Sequence, residues 1–128
     1  MRIRLLLALI AAGVSAGVAF GDIKSATSRA KAGEFDAVAE ISCAQEVGEA
    51  LGPCEAAVAR DDASTVVVVT FPNGFARLLM FEGGDFLRGN TTMSGVGTDT
   101  DWSLSDGLYR VRVDDQQFEL PAIVVTGS

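Results

Sequence analysis

In the stretch Asp99-Thr100-Asp101-Trp102-Ser103, oxygen-bearing side chains recur at alternate positions, just after the glycine-rich run Met93-Ser94-Gly95-Val96-Gly97. Asp99, Asp101 and Ser103 have the spacing of the first three ligands of an EF-hand calcium loop, in which hard oxygen donors surround the ion. The pattern stops there. Leu104 stands where the loop needs glycine for its sharp turn, and Arg110 stands where a bidentate glutamate closes the site. No metal set is expected, and Asp99 and Asp101 read as acidic contact residues on a solvated loop.

Catalytic chemistry is narrowed further by the absence of histidine from the 128 residues. Ser-His-Asp and Cys-His catalysis are excluded, as are most zinc sites. Ser94 therefore has no base to activate it, and no helix follows it to build a nucleophile elbow. Gly95-Val96-Gly97 lacks the lysine, the third glycine and the following helix of a phosphate loop. Asp99 and Asp101 are the type of carboxylate pair that hydrolyses glycosides, but so short a chain leaves little cleft for a sugar. The expectation is a protein that is not an enzyme and carries no cofactor.

What remains at this stretch is binding. Ser94 and Gly95 offer a small, exposed loop, and Asp99 and Asp101 offer charge to a basic partner. An aromatic beside a glycine-rich loop is a good anchor, yet the alternation of Trp102 and Leu104 with Ser103 and Ser105 points Trp102 toward a core. The candidate contact set is Ser94, Gly95, Asp99, Asp101 and Trp102. Arg110 and Arg112 share the outer face of a following strand, where they can pair with acids across the sheet.

The elements that must position these residues begin after a segment with another purpose. Residues 1–21 combine a cationic start at Arg2 and Arg4, an uncharged apolar run from Leu5 to Phe20, and small residues at its end. That is the anatomy of a signal peptide, expected as an apolar helix cut before Asp22, and it is shorter than the roughly 20 strongly apolar residues of a membrane span. Removal leaves eight Lys and Arg against seventeen Asp and Glu. So acidic a surface repels nucleic acid and anionic lipid, and favours a basic partner. Cys43 and Cys54, eleven positions apart in an exported chain, are expected to form one disulfide. The expected location is the periplasm or the exterior, free of the membrane after cleavage.

Residues 22–34 are polar and small without sustained apolar periodicity, and read as a flexible arm. Residues 35–128 read as a single β-domain. Phe35, Ala37, Ala39, Ile41 and Cys43 share one parity, a period of two that favours a strand over a short helix. The β-branched run Val66 to Val69 predicts a central strand covered on both faces. Pro72-Asn73-Gly74, Gly83-Gly84 and Asp106-Gly107 predict tight hairpins, and Tyr109, Val111 and Val113 alternate with arginines as a half-buried strand. Phe118 and Leu120 face inward on the next strand. Pro121 interrupts the ladder before a terminal strand, AIVVTG. The sum is an all-β meander of seven or eight short antiparallel strands, closed as a barrel or folded as a sandwich.

Several of these segments resemble known proteins. The cysteine pair, CEAAVAR followed by STVVVVTFPNG, the FEGG turn and the closing YRVRVDDQQFELPAIVVTG resemble a group of small, exported, functionally uncharacterised proteobacterial proteins. That resemblance implies an exported β-rich domain. A more remote similarity is to the periplasmic lysozyme inhibitors, disulfide-bearing β-barrels whose Ser-Gly-x-x-Tyr loop plugs the lysozyme cleft. Ser94 and Gly95 match the start of that loop, whereas Thr98 stands in place of its tyrosine and Gln116 in place of the glutamate of the second motif. Three functional expectations follow: a non-enzymatic domain binding a protein or envelope component through its loops; an inhibitor of lysozyme, itself basic; or an accessory subunit of an envelope complex that docks through the arm and the terminal strand.

Overall fold

The computed structural model describes residues 22–90 and 98–127. The expected signal segment and the Ser94–Gly95 pair lie outside these residues. Where the sequence alternates, the chain is pleated: β1 (Ala37–Ala44), β2 (Gly52–Asp61), β3 (Ser64–Thr70), β4 (Ala76–Glu82), β5 (Asp85–Gly89), β6 (Thr100–Ser105), β7 (Leu108–Val113) and β8 (Gln116–Pro121). They form one antiparallel sheet in the order β5-β4-β3-β2-β1-β8-β7-β6, curled into a nearly closed barrel. A barrel, not a sandwich, is the architecture.

Turn chemistry sets the register. The β4–β5 turn is Gly83-Gly84 and the β6–β7 turn Asp106-Gly107, all four residues with positive φ, the backbone that two-residue hairpins require. Gly74, at φ 91°, closes the β3–β4 hairpin as expected. With the register set, one parity of every strand turns inward. Ile41, Val58, Val67, Leu79, Phe81, Tyr109, Val111, Phe118 and Leu120 form the continuous core. Phe81 makes edge contacts with Phe86 and Tyr109 at ring-centroid distances of 5.4 and 5.2 Å. The disulfide Cys43–Cys54 is formed and ties β1 to β2 from within, with Cα atoms 5.9 Å apart.

Two segments differ from the sequence expectation. Residues 23–31, expected within a flexible arm, form helix α1 (Ile23–Lys31). Asp22 caps its start, accepting the Ser25 N–H at 2.8 Å, and this hydrogen bond holds the exposed carboxyl below the usual range. The helix buries Ala26 and Ala30, four residues apart on one face, against Ala59, Val66 and Met80 on the outside of the sheet. Two alanines leave no visible apolar stripe in the sequence, yet they allow the close approach. α1 is thus the second cover of β3, whose Val67 and Val69 face the core while Val66 faces the helix.

The terminal AIVVTG segment is also not a strand. It forms the short helix α2 (Ala122–Thr126), which seats Val124 and Val125 on the core. Its carbonyls explain the departure from β-propensity. Arg60 Nη2 donates to the Val124 carbonyl at 2.8 Å and Thr65 Oγ1 to that of Val125 at 3.0 Å, so partners on β2 and β3 stabilise the helical end. Gly127 at φ 83° ends it.

Arg60 links α1 and α2. Its N–H donates to Asp36 Oδ2 at 2.7 Å, its carbonyl accepts from Arg29 of α1, and Arg29 forks onto Asp36 with two contacts of 3.0 Å. The fork and the Arg60 N–H together lower the Asp36 pKa to about 2.

Candidate functional site

Of the expected contact residues, Asp99, Asp101 and Trp102 fall at the start of β6, the last strand of the sheet, which has a hydrogen-bonded neighbour on one side. Asp99 lies just before the strand and is committed within the chain. Its carboxylate meets Arg112 Nη2 at 3.4 Å, and its N–H donates to Asp114 Oδ1 at 2.9 Å. Asp101 is exposed and accepts the N–H of Trp102 at 2.9 Å. Asp101 and Ser103 project from the extended strand about 7 Å apart, the two-residue repeat of a strand, with Asp99 one step earlier. Three ligands strung along a line do not converge on one ion, and no cluster of three or more His, Cys, Asp or Glu suited to a metal occurs among the described residues.

Trp102 is half-buried, its ring packed on the core and 6.1 Å from that of Tyr109. Leu104, expected inward beside it, is instead 47 % exposed. The reason is the position of β6 at the unpaired end of the sheet, where the strand has no second neighbour to cover its far half. The sequence-derived set is therefore brought together in part: Asp101 and Trp102 adjoin on β6, and Asp99 is held by Arg112. Arg110 pairs with Glu119 at 3.5 Å, so both arginines of β7 serve the surface of the sheet as expected.

Two features were not singled out from the sequence. Arg77 points into the barrel from β4 and is 6 % exposed. Its Nε donates to Gln116 Oε1 at 2.8 Å and its Nη1 to the Asn90 carbonyl at 2.6 Å. Burial pulls its pKa down while Asp114 opposes the shift. The signal was parity: Arg77 shares the inward face with Leu79 and Phe81. The bonds on Asn90 and Gln116 join β4 to the end of β5 and the start of β8.

The second feature is an open groove of about 700 Å³ on the outer face of β1–β3, with Val38, Glu40, Pro53, Glu55, Thr70 and Pro72 in its lining. Glu40 and Glu55 stand directly opposite each other on neighbouring strands. Each lies on the outer parity of its own strand, but their juxtaposition depends on the β1–β2 register, which the intervening loop hides from sequence inspection.

No family model, no curated protein and no solved structure matches this chain. No helix among the described residues is long and apolar enough to cross a membrane.

Proposed function

We propose that this chain is an exported, non-enzymatic binding domain that recognises a basic protein through its surface. The observation that carries the reading is the state of its carboxylates. Ion pairs take up Glu34, Asp36, Asp99 and Glu119, whereas Glu40 and Glu55 face each other beside an apolar groove and make no ion pair among the described residues. Bulky side chains fill the barrel interior, with Tyr109, Phe81 and Phe118 all nearly inaccessible, so the outside is the surface offered for contact. The apolar leader and the disulfide support export to an oxidising compartment.

The test is affinity capture of the tagged protein from the envelope fraction, with identification of whatever is retained in stoichiometric amount. A basic protein released by salt is the expected result. A solitary monomer is the contrary one.

Lysozyme inhibition is the second reading, favoured by the disulfide-bearing barrel architecture and by the basic character of that enzyme. It predicts that the purified protein slows lysozyme and that Ser94→Ala weakens the effect. Full lysozyme activity in its presence removes this reading and leaves the general one standing.

A further inference from the structure

The outer face of the sheet is built in rows that run across the strands. Ala59, Val66 and Met80 are in register and lie beneath α1. The next outward row is Val38, Ala57, Val68 and Leu78, one apolar side chain from each of β1 to β4. Val68 and Leu78 of this row pack against the cluster beneath α1, whereas its end residue Val38 is 64 % exposed. The third row is Glu40, Glu55, Thr70 and Ala76. The groove runs along the third row at Glu40, Glu55 and Thr70, with Val38 of the second row and Pro53 and Pro72 also in its lining.

Like charges directly opposite on antiparallel strands oppose folding. No ion pair among the described residues reaches this pair, and Arg29 is engaged by Asp36, Arg60 by the end of α2, and Arg110 by Glu119. The chain thus presents two opposed carboxylates on its surface, beside the exposed Val38 and the groove residues Pro53 and Pro72. A divalent ion would account for the carboxylates and leave the exposed Val38 without a role. A segment of protein carrying a lysine or arginine accounts for both, because the alkyl stem of such a side chain covers apolar surface while its head stays with the acids.

We propose that the Glu40–Glu55 groove is the docking surface for a basic, partly apolar segment of a partner protein. One cationic head would sit between the two carboxylates and a neighbouring apolar side chain would rest on Val38. This rests on the reading of a basic partner given above and adds the place and the chemistry of contact, away from the β6 residues.

The test uses the protein expressed from its full sequence, labelled with ¹⁵N, and a blocked heptapeptide of leucine and arginine as probe. Amide shifts are expected at Val38, Glu40, Glu55, Ala57 and Thr70. The double variant Glu40→Gln/Glu55→Gln is expected to weaken the peptide about tenfold and to raise the thermal midpoint by about 1–4 °C as the repulsion is removed. The charge-matched control Glu46→Gln/Asp115→Asn is expected to bind within about twofold of the parent, since a specific site differs from a diffuse acidic field. Equal weakening in the control, or shifts concentrated elsewhere, overturns the proposal. So does a calcium titration that moves these amides more than the peptide does, or a dimer that the Glu40→Gln/Glu55→Gln change dissolves. If a basic partner captured from the envelope binds parent and double variant alike, this surface is wrong and the reading of a basic partner survives.

Discussion

The phenol of Tyr109 on β7 donates its hydrogen bond to the carbonyl of Gly84 in the β4–β5 turn. It spans the seam at which the two end strands, β5 and β6, are not paired with each other. Backbone hydrogen bonds close the rest of the barrel, so side chains must close this part. Burial raises the Tyr109 pKa, which keeps the phenol protonated as a donor. Tyr109→Phe is expected to lower stability by about 1 kcal/mol in chemical denaturation, the usual worth of one such bond. Unchanged stability would show that the seam is held by packing alone.

The same seam depends on a glycine for a steric reason. A Cβ built on Gly89 of β5 would sit 3.0 Å from Val113 Cγ1, and Val113 is fully buried. Gly89→Ala is expected to destabilise by about 1–3 kcal/mol through overpacking. Adding Val113→Ala should recover part of that loss, so the double variant is more stable than the sum of the singles. Strict additivity in thermal unfolding would contradict the contact.

Acid should loosen the clamp between α1 and β2. The Asp36 carboxyl is lowered from 3.8 to about 2 by the Arg29 fork and the Arg60 N–H. A depressed carboxyl contributes stability that is present above its unfolded value and lost as pH falls through the folded one. The loss is expected between about pH 4 and pH 2, with Asp36→Asn flattening that limb of the stability curve. A carboxyl carbon of Asp36 titrating by NMR near 4 would remove the effect.

Cross-linking β1 to β2 restricts the unfolded chain by a loop of about a dozen residues. Cys43→Ser/Cys54→Ser is expected to cost about 3 kcal/mol by the chain-entropy account. Equal denaturation midpoints for the oxidised and reduced protein would contradict it.

Much of the fold is legible because strands and tight turns are local. Parity in Tyr109, Val111 and Val113, the Asp106-Gly107 turn and the valine run of β3 each carry their own signal. The helices do not. α1 rests on Ala26 and Ala30, which hydropathy barely distinguishes from their neighbours, although the Asp22 cap and the basic last turn, Arg29 and Lys31, were visible marks. In α2, partners from distant strands outweigh the β-preference of Ile123, Val124 and Val125. The sequence showed the acidic character of the candidate site and not its arrangement. Acidity pointed to a basic partner, while Asp99 proved to be paired with Arg112 and the opposed glutamates emerged from a register no local pattern reveals.

The most direct measurement of the central claim is the affinity of the captured envelope partner, purified and titrated onto this protein at rising salt. The account predicts a basic protein in stoichiometric complex whose affinity falls steeply with ionic strength. A chain that stays alone in envelope extracts, or a partner whose affinity ignores salt, contradicts it.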